Sequence, residues 1–314
     1  ILVTGAAGFI GSWVCKSLRD RGDNVIGLDD FNDYYDVSLK RARVRRFIPG
    51  VKVYKADVAD RRALERIFHR HRFRQVCHLA AQAGVRYSLQ NPFAYESANV
   101  LGSLNLLEMC RRFGVRSFIY ASSSSVYGGN KKVPFSVRDR VDRPLSLYAA
   151  TKRAGELMAH VYHRLYGISC TGLRFFTVYG PWGRPDMALF KFTRAILRGR
   201  PIDVYNYGRM ERDFTYVTDI AAGVLAALDK NYPFEIFNLG NSRPVRLRRF
   251  IGCLEKELGR RARMRLLPLQ PGDVPRTCAD LRETRRKLGY RPRVPVEKGI
   301  REFVRWYKDY YRPA

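Results

Sequence analysis

No stretch of this chain approaches the roughly 18 consecutive apolar residues of a membrane-spanning helix, and no signal peptide is visible. Stable membrane insertion is therefore not expected. Cysteine is sparse and scattered: Cys15, Cys77, Cys110, Cys170, Cys253 and Cys278 form no C-x-x-C pair and no regular framework. This reads as reduced thiols in a cytoplasmic protein. His69 and His71 sit two apart on a basic segment, and His160 and His163 lack carboxylate or thiolate neighbours, so no metal site is expected. Linkers, internal repeats and low-complexity tracts are missing as well. The chain opens on Ile1, without Met and already inside a strand, which leaves an upstream segment open.

Acid is the remaining shortage. Against 58 Lys and Arg stand 29 Asp and Glu, a formal net charge of +29, and 45 of the basic residues are Arg. Such a field steers anionic ligands, although one small ligand does not require so many cations. The runs Arg41-Ala-Arg-Val-Arg-Arg46, His69-Arg-His-Arg-Phe-Arg74 and Gly259-Arg-Arg-Ala-Arg-Met-Arg265 read as solvated helix faces. No recognised reading helix, RNA-binding module or stacking platform accompanies the charge, so nucleic acid is not an expected partner.

What is present is a globular α/β pattern. A hydrophobic share of 46% over 314 residues is enough for a substantial core. Strand-like runs at 51–54, 75–79, 117–121 and 169–175 alternate with helical patterns near 60–71, 92–114 and 146–167. That alternation predicts a parallel sheet covered by helices on both faces. After Phe176, prolines punctuate shorter elements, which reads as a smaller, interleaved C-terminal α/β part that binds substrate. The boundary falls near residue 168, giving 1–168 and 169–314, with some later segments expected to pack back on the first sheet.

The first strand, Ile1-Leu-Val-Thr4, runs straight into Gly5-Ala-Ala-Gly8-Phe-Ile-Gly11, which opens a helix. Glycines let backbone approach a pyrophosphate, and a helix N-terminus presents free N–H groups and a positive dipole end to it. The spacing departs from the commoner G-x-G-x-x-G. A second strand, Asn24 to Leu28, ends in Asp29, at about the 20-residue spacing of the acid that binds a dinucleotide ribose. Asp29 would accept from both ribose hydroxyls and repel a 2′-phosphate. Asp30, Phe31 and Asn32 follow it, with no Arg at once, so NAD is expected rather than NADP.

Ser122-Ser123-Ser124-Ser125-Val126-Tyr127-Gly128 follows a strand-like segment, where an open α/β sheet presents groups to ligand. Tyr148 and Lys152 then sit four apart on a helix, sharing one face. The ammonium is expected to lower a phenol pKa that is ordinarily about 10, making Tyr148 a base, while Ser123 donates to the same substrate oxygen. A Ser-rich turn before a helix that happens to carry Tyr and Lys would give the same letters. Arg212 and Asp213 likewise admit two readings, a phosphate contact or a mutual ion pair.

With these motifs the chain resembles the extended short-chain dehydrogenase/reductase family along essentially its whole length. Further motifs are Asp57-Val58, His78-Leu-Ala-Ala81, Asn99 and Leu173 to Gly180. Within that family it is most similar to nucleotide-sugar 4-epimerases acting on UDP-glucuronate, on the segments Asp30 to Asp36 and Gly180 to Met187. The resemblance implies a Rossmann-type doubly wound parallel sheet and an NAD site. That site would draw on Gly5, Gly8, Phe9, Ile10, Gly11, Asp29, Asn32, Asp57, Val58, Leu79, Ala80, Ala81, Asn99, Ser122, Tyr148, Lys152, Phe175 and Val178.

Catalysis would fall to Tyr148, Lys152, Ser123 and Ser125. A UDP-sugar would meet Ser123, Ser124, Ser125, Tyr148, Thr177, Arg184, Met187, Val204, Tyr205, Asn206, Arg212, Gln270 and Asp273. Arg212 is assigned to phosphate, Gln270 and Asp273 to the uridine ribose, the 203–206 strand to uracil and Arg184 to the sugar carboxylate. Helices near 92–114 and 146–167 resemble a pair that forms a homodimeric four-helix bundle.

The expected reaction is reversible inversion at C4 of UDP-glucuronate through a 4-keto sugar. UDP-glucose or UDP-N-acetylglucosamine epimerisation remains an alternative. Dehydratases and uronate decarboxylases of this family carry an acid just before Val-Tyr-Gly, where this chain has Ser, and that absence disfavours both. A non-catalytic NAD-binding protein would need only the glycine turn, and the Tyr148/Lys152 pair argues against it.

Overall fold

Aliphatic and β-branched runs form the strands of a computed structural model that describes residues 1–312. The first half alternates β1 (Leu2–Thr4), α1 (Phe9–Asp20), β2 (Ile26–Asp29), α2 (Val37–Phe47), β3 (Lys52–Lys55), α3 (Arg61–Arg70) and β4 (Gln75–His78). It continues through α4 (Pro92–Tyr95), α5 (Gly102–Arg112), β5 (Ser117–Ser123), α6 (Leu147–Tyr166) and β6 (Ser169–Phe175). Beyond lie β7 (Thr177–Tyr179), α7 (Ala188–Leu197), β8 (Ile202–Tyr205), β9 (Glu211–Arg212), β10 (Phe214–Tyr216), α8 (Val217–Lys230) and β11 (Phe234–Leu239). The last elements are β12 (Val245–Arg246), α9 (Leu247–Leu258), β13 (Met264–Leu267), α10 (Arg282–Leu288) and α11 (Val296–Tyr311).

Seven strands make one sheet in the order β3-β2-β1-β4-β5-β6-β11, with every neighbouring pair parallel. Successive side chains of a strand face opposite layers. Leu2 therefore enters one core with Leu64, Leu106, Phe118 and Ala159, while Val3 enters the other with Val14, Leu18, Val224 and Phe237. A third core gathers Phe190, Val204, Phe214, Phe250 and Phe303 beneath the shorter sheets. The strand order reverses between β1 and β4, so the loops that follow them open a crevice at the carboxyl edge.

Local signals set the helix ends. Ser146 caps α6 through Ala149 N at 3.2 Å, and Gly167 ends it in the left-handed region at φ 67°. Asp36 and Asp60 cap α2 and α3 in the same way. The pattern near 92–114 predicts a single helix, but a π turn over Glu96–Leu101 separates α4 from α5. That wider turn carries Asn99 inward, where its amide bonds Gln82 and Thr151.

The basic run on α2 is not wholly a solvated face. Arg41, Arg45 and Arg46 are not buried, but Arg43 is fully buried, because its guanidinium finds backbone carbonyls from other parts of the chain. All six cysteines are free and five are buried. His160 and His163 pack against Phe234. No helix among the described residues is long and apolar enough to cross a membrane.

Candidate active site

The glycine turn is built by close approach. Gly5 has φ 69°, and a Cβ there would sit 2.8 Å from Ala80 N in the loop after β4; a Cβ at Gly11 would collide with the Gly5 carbonyl. Gly8 is the N-cap of α1 and supplies no side-chain cap, which leaves the first-turn N–H groups for a ligand. Asp29 closes the crevice at the end of β2. Its carboxylate accepts from Ala7 N at 3.0 Å and Phe31 N at 2.9 Å.

Burial pushes the Asp29 carboxyl above its usual range, opposed by Lys40, whose Nζ lies 3.9 Å away. Lys40 also donates to Asn32 Oδ1 at 3.0 Å. No cation directly follows Asp29 in the sequence, but the fold of α2 brings this buried lysine back to it. Leu79, Ala80 and Ala81 line the opposite lip, with Ala80 N donating to Thr4 Oγ1 at 3.1 Å. His78 beneath them bonds Thr4 and Ser103, and burial together with nearby Lys152 pushes its pKa down to about 3.

Several expected cofactor contacts are committed elsewhere. Ser122 Oγ donates to Glu156 at 2.7 Å, because strand alternation turns it away from the face of Ser123. Asn99 spends its amide on Gln82 and Thr151. Val58 is buried in the core beside Gly102, and Asp57 accepts from Ala59 N at 2.8 Å. Only main chain is left at Ser122 and Val58 for a ligand. Ile10 is half-buried on α1, while Phe175 and Val178 are buried at the strand ends behind the crevice.

At the serine run β5 ends at Ser123 and a short 3-10 turn follows over Ser124–Tyr127. Ser123 Oγ donates to Ser125 Oγ at 3.1 Å and accepts from Ser125 N at the same distance. The Lys152 effect on Tyr148, however, is not what the spacing predicts. Protein around the phenol raises its pKa above 10, opposed by Ser123 and by the charge of Arg184, while Lys152 Nζ donates to the Ala121 carbonyl at 3.0 Å. Burial lowers the ammonium itself to about 8. A shared helix face fixes proximity, but the proton balance depends on what else surrounds each group.

Behind the motif, Glu156 continues the Tyr148/Lys152 face of α6 and is fully buried. It receives Arg174 at 2.8 and 2.9 Å as well as Ser122 and Arg153. This network fixes α6 against β5 and β6.

Two adjoining cavities meet at Thr177. The smaller is lined by Phe9, Val178, Arg184 and Met187; the larger by Ser124, Ser125, Arg212, Asp273 and Thr277. Arg184 makes a two-point ion pair with Asp186 at 3.0 and 2.6 Å and donates to the Ala83 carbonyl at 3.2 Å. The Tyr34 hydroxyl donates to the same carboxylate at 3.2 Å.

Arg212 does not pair with Asp213. Asp213 is fully buried and accepts from the N–H groups of Asn241, Ser242 and Ala279, which leaves Arg212 facing the larger cavity. Opposite it, Arg86 bonds Asp273 at 2.9 Å and lies 4.1 Å from the centre of the Tyr205 ring. Arg86 and Asp186 escaped the sequence reading. Arg86 reaches the assigned Asp273 only in space, whereas Asp186 sits between the assigned Arg184 and Met187 in the chain.

Asn206, at φ 52°, and Gln270 flank this end, with Gln270 O accepting from Asp273 N at 3.1 Å. The Val204 side chain is fully buried in the third core, which leaves only its main chain for a ligand.

A family model described as the NAD dependent epimerase/dehydratase family matches residues 1–240. The chain belongs to that family. Among relatives, UDP-glucuronate 4-epimerase 4 of Arabidopsis thaliana is 50% identical over 99% of this chain and 76% of its own length. An uncharacterized protein of Methanocaldococcus jannaschii is 53% identical over 98% of this chain and 96% of its own length. UDP-glucuronic acid 4-epimerase of Bacillus cereus, in complex with UDP-glucuronic acid and NAD, superposes with a TM-score of 0.91 at 34% identity, covering 98% of each chain.

As a member of the epimerase/dehydratase family the protein depends on NAD, and its crevice fits that cofactor. Side chains at Gly5 or Gly11 would fill the cradle, the α1 N-terminus lacks a cap, and Asp29 stands at the end of β2.

Proposed function

We propose that the protein catalyses the reversible C4 epimerisation of UDP-glucuronate to UDP-galacturonate. The observation that carries this reading is the placement of Arg184. It lines the cavity joined at Thr177 to the serine run, and its charge is felt by the Tyr148 phenol. A two-point guanidinium beside the catalytic hydroxyls suits a sugar bearing a carboxylate.

NAD supplies a hydride acceptor for C4 and, when oxidised, a positive ring charge that favours the Tyr148 phenolate. Tyr148 takes the O4 proton, while Ser123 and Ser125 hydrogen-bond O4 or its neighbours. Lys152 holds the ribose beside the phenol. The 4-keto sugar turns within the cavity while Arg212, Asp273, Gln270 and the Tyr205–Asn206 corner retain the UDP. The same tyrosine returns the proton when hydride comes back to the other face. A 4-keto uronate is a β-keto acid and loses carbon dioxide when its C5–C6 bond lies parallel to the carbonyl π system. Arg184 and Thr177 hold the carboxylate out of that alignment.

A homodimer accompanies this reading, with a second copy covering an apolar face. Leu157, Val161 and Leu165 recur every four residues on α6 and are exposed, beside exposed Leu101 and Leu104 at the start of α5. Six free thiols fit a reducing, cytoplasmic setting.

The deciding assay incubates the protein separately with UDP-glucuronate and UDP-glucose, with and without added NAD, and identifies products by mass and stereochemistry. UDP-galacturonate retaining a C4 deuterium label is the expected product. Loss of label to solvent, or NADH accumulating with turnover, would overturn hydride recycling.

A further inference from the structure

Arg43 is fully buried, yet none of its partners is a carboxylate. Nη1 donates to the Ala7 carbonyl at 3.1 Å and the Tyr35 hydroxyl at 2.6 Å. Nε and Nη2 donate to the Trp182 carbonyl at 3.0 and 2.7 Å, and Nη2 also reaches the Gly183 carbonyl at 3.2 Å. These bonds use all the donors of the guanidinium fork.

The carbonyls come from the two halves of the site. Ala7 lies in the glycine turn, its N–H held by Asp29. Trp182 and Gly183 lead directly into Arg184, Asp186 and Met187, and the cavity lined by Arg184 and Met187 is also lined by Phe9 from the glycine turn. One side chain therefore bolts the cofactor turn to the loop that carries the candidate carboxylate clamp.

Two further observations give this bolt a function. Trp182 has φ 63°, a left-handed conformation that is costly for a bulky residue and persists only where its surroundings impose it. Arg43 and Trp13, whose Nε1 donates to the Pro181 carbonyl at 3.3 Å, hold the main chain on either side of it, and its ring packs against Phe47, Trp306 and Tyr310. In addition, none of the direct partners of Arg43 among the described residues carries a negative charge: its guanidinium is held by neutral acceptors and lies 5.3 Å from the centre of the Tyr35 ring beside the glycine turn. Burying an unpaired charge is unfavourable, and an anionic ligand at the turn would offset it.

We propose that Arg43 is a coupling residue, which transmits occupancy of the dinucleotide turn to the Trp182–Met187 loop and so to the position of Arg184. This rests on the UDP-glucuronate reading above. The consequence is reciprocal: NAD and UDP-glucuronate each tighten the other's binding, by a factor on the order of ten.

The test is calorimetric titration of nucleotide-free protein with NAD, with and without saturating UDP-glucuronate, in a Tyr148→Phe background that prevents turnover. The parent should show about tenfold mutual tightening, and Arg43→Met should reduce it to about twofold or less while both ligands still bind. Arg43→Lys keeps the charge but cannot span the separated carbonyls, and should leave a coupling between those of the parent and Arg43→Met. Tyr35→Phe removes one bond of the set and should weaken the coupling partially.

If melting curves show Arg43→Met unfolded, Arg43→Lys and Tyr35→Phe decide the matter. Coupling undiminished in these variants, or missing from the parent although both ligands bind it, overturns the proposal. A parent that binds NAD but not UDP-glucuronate overturns the functional reading and the coupling with it.

Discussion

The cofactor side and the substrate side of the crevice solve the same problem, how to keep polar groups near a ligand, in opposite ways. On the cofactor side the side chains are already satisfied by fixed partners: Asp29 by Ala7 and Phe31, Asn99 by Gln82 and Thr151, Ser122 by Glu156. On the substrate side, charged groups pair with each other in direct contact at the cavity walls, Arg184 with Asp186 and Arg86 with Asp273. The first arrangement is rigid and leaves backbone N–H groups and carboxylate lone pairs for the dinucleotide. The second holds ion pairs that an incoming anion must enter or displace. Binding there gains less net free energy, but a ligand lacking the right charges is rejected.

Five substitutions break or sharpen that contrast. The largest effect is expected at Tyr148, where both sides meet. Tyr148→Phe should lower turnover by about 10²- to 10⁴-fold while NAD titration is unchanged. Near-normal turnover would remove the tyrosine from the base role.

On the cofactor side, Glu156→Ala strips the carboxylate from buried Arg174 and should cost about 3–5 kcal/mol of stability in denaturant unfolding. Burial alone would raise the Glu156 carboxyl, but the bonds from Arg174 hold it below the usual range. An unfolding midpoint equal to wild type would show the network to be dispensable.

Arg184→Ala, on the substrate side, should cost roughly 2–5 kcal/mol in kcat/KM for UDP-glucuronate and little for UDP-glucose. Release of a decarboxylated pentose product is expected alongside. Equal losses on both sugars, with no pentose product, would refute the carboxylate role.

Lys152 gives a pH signature. Its folded pKa of about 8 lies below the ordinary 10.5, so between those values the unfolded chain binds more protons. The penalty of burying the ammonium is fully present below about pH 8 and is relieved as pH rises towards 10.5. The stability of wild type relative to Lys152→Met should therefore climb across that window, by at most about 1.4 kcal/mol per pH unit. A flat or falling difference curve would contradict the buried ammonium.

The smallest effect is assigned to Arg86→Ala. The Arg86–Asp273 pair is partly exposed, and its loss should raise KM for UDP-sugars by about two- to fivefold with kcat unchanged. A change in kcat instead would place Arg86 in the chemistry.

The sequence by itself determined whatever short-range spacing can encode. The alternation of strands and helices gave the doubly wound sheet, the glycine turn and Asp29 marked the candidate dinucleotide crevice, and the Ser123, Tyr148 and Lys152 pattern marked the proposed site of the chemistry. Each depends on a strand period, a helical turn or a tight backbone approach, which neighbouring residues specify among themselves.

Tertiary structure decided where the charges went. Arg43 reaches Trp182 across 139 positions and Arg86 reaches Asp273 across 187. The Val204 side chain, on the strand assigned by resemblance to uracil, is taken by the third core. The rise in the Tyr148 pKa was invisible in the Tyr148/Lys152 spacing, since burial and the charge of Arg184, neither of them local, set that balance. Ion pairing and desolvation depend on distance and on excluded water, and in a folded chain both are properties of the packing rather than of the order of residues.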